Sequence, residues 1–224
     1  FSSIEGDAIE LDENLPLGTL KTIEDVAHDY HLIESDIEIS NLTKLLEQQD
    51  SVCFDTETTG LNPLTAEIVG LSFSWEAHKG YYVYINLGDE QRVIDFFKPF
   101  FSNDNVGKVA QNIKYDINVL LKYGVEVKGK LFDTMLAHYL LQPDMNHNMN
   151  FLSETYLNYR PISIESLIGK KGKNQKTMRE VEKSELVKYA AEDADVTWQL
   201  MQKFTPLLDQ KEVRALFEKI EMPL

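Results

Sequence analysis

The chain has 224 residues, enough for one substantial domain or for a domain with appended segments. Its 43% hydrophobic and 10% aromatic residues suit a globular protein with a sizeable core, and no run of about 18 apolar residues offers a membrane span. A formal net charge of −15 argues against a nucleic acid held by bulk electrostatics alone, and the single cysteine, Cys53, excludes an internal disulfide and suits a reducing cytoplasm.

The opening stretch FSSIEGDAIELDENLP is acidic and lacks the basic and apolar regions of a secretory signal. Residues 1–28 have weak periodicity and are expected to be a linker or arm from an upstream region. From residue 30, YHLIES has a strand pattern, and ISNLTKLLEQQ (39–49) has a helical one. A strand follows at 51–58. AEIVGLSFSWE (66–76) and KGYYVYINL (79–87) are rich in β-branched and aromatic residues, with Gly80 and Gly88 as punctuation. Three consecutive strands with short connections predict an antiparallel meander.

The pattern then turns helical. DEQRVIDFFKPFF (89–101) is predicted as a helix, VGKVAQN (106–112) as a short strand, and IKYDINVLLKYG (113–124) as a helix with Gly124 near its C-terminal cap. DTMLAHYLL (133–141) follows with Asp133 as N-cap, then MNFLSETYL (149–157) and SELVKYAAEDADVTWQLMQKF (184–204). An amphipathic run, 206–221, ends the chain. Strands first and helices after predict an α/β or α+β three-layer domain with a central mixed sheet flanked by helices.

VCFDTETTG (52–60) is the informative stretch. Strand side chains alternate, so Asp55 and Glu57 project the same way from an apolar strand. Like charges there repel and resist desolvation, whereas a hard cation such as Mg²⁺ or Mn²⁺ would take their oxygens and remove the conflict. Asp116 falls in the first turn of a helix; taken alone it is a favourable charge near a helix N-terminus. In KYAAEDAD (188–195), Tyr189 and Asp193 are four apart and share a helix face. Glu192 and Asp195 point elsewhere and are expected to be ordinary solvated acids. GKKGKNQKTMR (169–179) is a basic strip without a single acid. It is expected to be a solvated loop unless it guides a polyanion.

D-x-E on a strand, N-x-x-x-D at a helix start and Y-x-x-x-D on a late helix together resemble the 3′–5′ exonucleases with four acids and a tyrosine, of the ribonuclease-H-like group. The similarity is closest to the proofreading domain of bacterial DNA polymerase I. It is carried by FDTETTGL (54–61), IVGLSFS (68–74), GKVAQNIKYD (107–116), FDTML (132–136), GKNQ (172–175) and YAAEDADVT (189–197). Position 188 is Lys where a sister branch would carry histidine, and the tyrosine at 189 decides the branch.

The resemblance implies a ribonuclease-H-like fold and two divalent cations, Mg²⁺ or Mn²⁺, held by Asp55, Glu57, Asp116 and Asp193, with Tyr189 aiming the attacking water. It also implies a single-stranded DNA 3′ end as substrate, contacted by Thr58, Leu61, Gln111, Asn112, Tyr115, Lys173 and Asn174. The ending FEKIEMPL is similar to the entry into a polymerase domain. The implied organisation is therefore an exonuclease domain at 29–208 and a helix at 209–224 leading to a polymerase domain of the full-length chain. The implied fragment is monomeric, cytoplasmic, bacterial and without a membrane partner. Departures from the family pattern are Asn146–His147 in place of an arginine–histidine pair, Ile164 at an aromatic wedge position and one extra residue at Lys170–Lys171. They bear on substrate affinity more than on chemistry, and His147 is expected to be structural. The alternatives are an RNA 3′ exonuclease of the ribonuclease D type and a scaffold that has lost catalysis.

Overall fold

Alternation along SVCFDTET builds the central strand β2 (Ser51–Thr58). Val52, Phe54 and Thr56 face one way, and Cys53, Asp55 and Glu57 face the other. The computed structural model describes residues 19–172 and 174–223. Five further strands join β2: β1 (Asp29–Ile33), β3 (Ile68–Glu76), β4 (Lys79–Tyr84), β5 (Gly107–Ala110) and β6 (Leu131–Asp133). Their order across the sheet is β1-β4-β3-β2-β5-β6. The expected antiparallel meander is present as β2–β3–β4. Parallel pairings of β1 with β4, β5 with β2 and β6 with β5 make the sheet mixed.

Helices cover both faces. On one, Phe54 and Phe73 pack with Leu42 of α1 (Asp36–Leu46), Phe97 and Phe101 of α2 (Glu90–Phe101) and Val119 of α3 (Ile113–Leu121). Phe54 meets Phe101 edge to face at 5.1 Å. Each such buried ring contributes about 1.5–3 kcal/mol. The other face lies under α4 (Thr134–Leu141), α5 (Met149–Leu157) and the long α7 (Lys183–Gln210), which runs across β1 to β5. Gly80 lets α7 approach. A β-carbon there would stand 2.7 Å from the Ala191 carbonyl oxygen and 2.8 Å from the Ala191 Cβ.

Several elements differ from the sequence expectations. β6 and the short α6 (Ile164–Ile168) were not foreseen; with three and five residues they are too short for a periodic signal. The helix expected to end at Phe204 continues through Pro206 to Gln210, because burial of Phe204 and Leu208 outweighs one lost backbone hydrogen bond. Part of the expected arm, residues 1–18, lies outside the described residues. The described remainder is docked: Lys21 N–H donates to the Asn158 carbonyl at 3.1 Å, and Arg160 N–H donates to the Lys21 carbonyl at 2.8 Å.

Asp133 does more than the expected capping of α4. Its carboxylate accepts from Met135 N–H at 2.8 Å and Leu136 N–H at 3.4 Å, and also from Asn112 N–H at 3.0 Å and Ile113 N–H at 2.9 Å at the start of α3. One buried acid therefore fixes two helix N-termini, and α3 carries Asp116. A lost cap costs about 1 kcal/mol, so Asp133→Ala is expected to lower the free energy of unfolding by about 2 kcal/mol in a denaturant titration. Asp133→Asn, which keeps an acceptor oxygen, should lose less. A loss below about 0.5 kcal/mol for the alanine variant, within the range of an ordinary surface substitution, would show that other groups hold these helix ends.

Candidate active site

Three elements bring four carboxylates together. β2 supplies Asp55 and Glu57 on its α7 face, α7 supplies Asp193, and α3 supplies Asp116. Asp55, Glu57 and Asp193 each offer an oxygen, and these oxygens lie within 4.8 Å of one another. Asp116 stands beside this trio. Its Oδ1 accepts from the Thr56 N–H at 3.1 Å and the Thr56 hydroxyl at 2.6 Å, which ties α3 to the central strand. Glu57, Asp116 and Asp193 are 6%, 1% and 5% exposed.

Burial governs the electrostatics. It pushes the Asp55 carboxyl up to about 6, against a lowering hydrogen bond from the Thr56 backbone. Glu57, Asp116 and Asp193 are raised well above the usual carboxylate range, first by burial and then by the charge of Asp55. The Tyr189 phenol is likewise pushed well above its ordinary value of 10 by burial, then by the charges of Asp193, Glu57 and Asp55. It keeps its proton at neutral pH and can donate, not act as a base. The donor set fits a hard divalent cation: carboxylate oxygens alone converge, and Glu57 Oε1 is buried without a hydrogen-bond partner.

The residues expected along the substrate strand fall at different depths. Leu61 is 90% exposed on the loop after β2. The hydroxyls of Thr58 and Tyr115 lie 2.6 Å apart and both lie within hydrogen-bonding distance of the Gly60 carbonyl, so that one donates to the carbonyl and the other to its neighbour, which fixes the base of that loop. Asn112 is exposed and takes the left-handed conformation, φ 62° and ψ 49°, at the start of α3. Gln111 is committed internally: its amide donates to the His147 carbonyl at 2.8 Å and accepts from the Thr134 hydroxyl. His147, expected to be structural, has its Nδ1 at 2.7 Å from His138 Nδ1.

Asn174 is exposed on the basic loop, and Lys173 lies outside the described residues. The flanks of that loop, Leu167, Ile168 and Met178, belong to the same small hydrophobic cluster as Tyr189. Arg179 is a correction to the expectation that the strip is a solvated loop. Its guanidinium turns inward, donating to the carbonyls of Ile85 at 2.9 Å and Ile68 at 2.7 Å and pairing with Glu90.

Glu192 and Asp195 are a second correction, because both are buried. Glu192 accepts from the Tyr159 hydroxyl and from Ile162 N–H at 2.6 Å. Asp195 accepts from the Tyr30 hydroxyl, His78 N–H and Gln199 Nε2, each at 2.8 Å. They tether the flanks of α7 to β1, the β3–β4 turn and the 159–162 loop, and so set the rotation that aims Asp193 at β2. Ala190, Ala191 and Ala194 are the signal that could have revealed this, since small residues on several faces mark a helix enclosed on every side.

The architecture is that of ribonuclease-H-like exonucleases. Escherichia coli RNase D, described as an exoribonuclease involved in structured RNA processing, is a structural neighbour with a TM-score of 0.66 over 84% of this chain and 47% of its own, at 14% identity. At that identity the likeness speaks for the fold. The family is settled by sequence: the 3′–5′ exonuclease profile matches residues 30–209, and the chain belongs to that family. Among curated relatives, DNA polymerase I of Borreliella burgdorferi is 31% identical over 212 residues, and DNA polymerase I of Pseudomonas aeruginosa is 33% identical over 208. The matches cover 92% and 88% of this chain but 23% of each relative, so the chain spans under a quarter of the relatives' length.

Carboxyls raised by folding make stability depend on pH. Carboxylates titrate near 4 in an unfolded chain, so between about pH 4 and the raised values the folded protein holds protons that the unfolded chain has released. The contribution of the cluster is full below about pH 4 and is lost as pH rises through about 6 and beyond. The melting temperature of metal-free protein is expected to fall by several degrees between about pH 5 and about pH 8. Excess Mn²⁺ should restore it at the upper pH and change little at the lower, where the ligands are protonated. Glu57→Gln should flatten both trends; unchanged trends in that variant would place their origin elsewhere.

Proposed function

We propose that this chain is a proofreading domain that hydrolyses the terminal phosphodiester of single-stranded or mispaired DNA 3′ ends and releases nucleoside 5′-monophosphates. The observation that carries this reading is the convergence of Asp55, Glu57 and Asp193 beside Tyr189 in a family of 3′–5′ exonucleases. Asp55, Glu57, Asp116 and Asp193 would hold two divalent cations, Mg²⁺ or Mn²⁺. When bound, such ions supply Lewis-acid stabilisation of charge on the attacking and leaving oxygens. Tyr189 donates a hydrogen bond that orients the attacking water. Asp116 stays aligned through Thr56, and Asp193 through the tethered α7 helix.

The surroundings support a way of holding the substrate. Leu61, exposed on the loop that follows β2, would wedge between terminal bases, with Thr58 and Tyr115 bracing its loop. Asn112 lies at the exposed start of α3. Lys173 and Asn174 belong to the basic loop, which can face phosphates in an otherwise acidic chain. Contacts of these kinds carry little sequence information, as trimming of arbitrary ends demands. The domain organisation that fits is an arm at 1–28, the nuclease at 29–208 and a terminal segment at 209–224 leading to a polymerase domain of a longer cytoplasmic chain in replication and repair; that segment is not the single helix expected, since α7 ends at Gln210 and helical turns resume only at Arg214–Leu216 and Phe217–Glu221. No helix among the described residues is long and apolar enough to cross a membrane.

Purified protein with 3′-labelled single-stranded DNA and Mg²⁺ is expected to release mononucleotides, and chelator should abolish this. Asp55→Ala should lose at least about a hundredfold in rate and lose metal binding with it. Wild-type rates in that variant would contradict the site. A matched RNA oligonucleotide degraded faster than the DNA would favour ribonuclease D-type chemistry, and no cleavage of either would favour an inert scaffold.

A further inference from the structure

Buried polar atoms without partners concentrate behind the carboxylates. Among the described residues, five buried side-chain nitrogen or oxygen atoms lack a hydrogen-bond partner, and three of them, Glu57 Oε1, Ser72 Oγ and the Tyr82 hydroxyl, sit on one patch of the sheet. The register brings them together. Asp55 stands opposite Ser72, and Ser72 opposite Tyr82; Glu57 stands opposite Gly70. Opposite residues of an antiparallel ladder share a face, so all of these lie on the α7 side.

Tyr82 is fully buried, and its ring leans across Gly70. A β-carbon on Gly70 would stand 2.5 Å from Tyr82 Cζ and closer still to Cε2 and the hydroxyl. Glycine at 70 thus opens the gap that lets the phenol reach over the residue directly opposite Glu57. Of the charges acting on the phenol, that of Glu57 is the strongest. Burying a phenol with no partner is unfavourable when phenylalanine would fill the same volume. A protonated phenol has a hydrogen to give, and an ionised carboxylate has lone pairs to receive it.

We propose that Tyr82 is a positioning residue for Glu57: its hydroxyl donates to the Glu57 carboxylate when that carboxylate is ionised around a cation, and so fixes the orientation of its oxygens. Outer partners of this kind steer metal-holding carboxylates and raise metal affinity. The inference rests on the metal-site reading above and extends it one layer outward, to a residue on β4 that no acid motif marks.

The test is Mn²⁺ binding, followed by the electron paramagnetic resonance of free Mn²⁺, in wild type, Tyr82→Phe, Glu57→Gln and the double variant. Tyr82→Phe keeps the ring that fills the gap and removes only the oxygen, so the fold is preserved. The expected result is about tenfold weaker Mn²⁺ binding in Tyr82→Phe, no drop in the melting temperature of the metal-free protein, and no further weakening when Tyr82→Phe is added to Glu57→Gln. Wild-type affinity in Tyr82→Phe would overturn the inference, since a mere core filler moves nothing when its oxygen is removed. An equal loss in the Glu57→Gln background would overturn it too, because the effect would then not pass through Glu57. Should Glu57→Gln itself bind Mn²⁺ like wild type, the metal-site reading falls and the role of Tyr82 falls with it.

Discussion

Repulsion among Asp55, Glu57, Asp116 and Asp193 is the constraint on which the molecule turns, because the chain gathers them from three elements into one largely buried site. At an effective dielectric near 20, two such charges about 4 Å apart repel by about 4 kcal/mol. A single hydrogen bond stabilises by about 1 kcal/mol. No single tether can therefore hold the group together, and the fold spreads the task. Thr56 secures Asp116, Asp133 secures the start of α3, and Glu192 with Asp195 secures α7 against strands and loops on either side. Each contact lies outside the carboxylate trio and resists its separation.

The same constraint explains the division of labour along α7. Its run from Ala190 to Thr197 is buried without a break, with acids facing three directions. Asp193 faces the site, whereas Glu192 and Asp195 are satisfied by hydroxyl, amide and backbone donors. The two outer acids anchor the helix, and the inner one points to the carboxylate group on β2. Small alanines and Gly80 permit the close approach to the sheet that makes this arrangement possible.

Local signals revealed much of this. Alternation defined β2, β3 and β4, helical spacing defined α2 and α7, and the D-x-E and Y-x-x-x-D spacings placed Asp55 with Glu57 and Tyr189 with Asp193 on common faces. Features decided by tertiary contact stayed hidden. The pairing of β1 with β4 joins distant segments, and β6 is too short to show a period. Glu192 and Asp195 looked solvated because a helical wheel assumes one wet face, which an enclosed helix does not have. Gln111 resembled a strand-contacting residue, yet its amide is occupied by His147 and Thr134. Arg179 lies in a basic run by sequence but caps backbone carbonyls inside the fold.

If repulsion is relieved by counterions, the carboxylates must be where the counterions go. Crystals soaked with Mn²⁺ and a nucleoside 5′-monophosphate test this most directly through anomalous diffraction. The account predicts two Mn²⁺ peaks bounded by Asp55, Glu57, Asp116 and Asp193, with the phosphate beside them and Tyr189 within hydrogen-bonding reach. Peaks confined to other surfaces, with these four carboxyls protonated and hydrogen-bonded to one another, would contradict it.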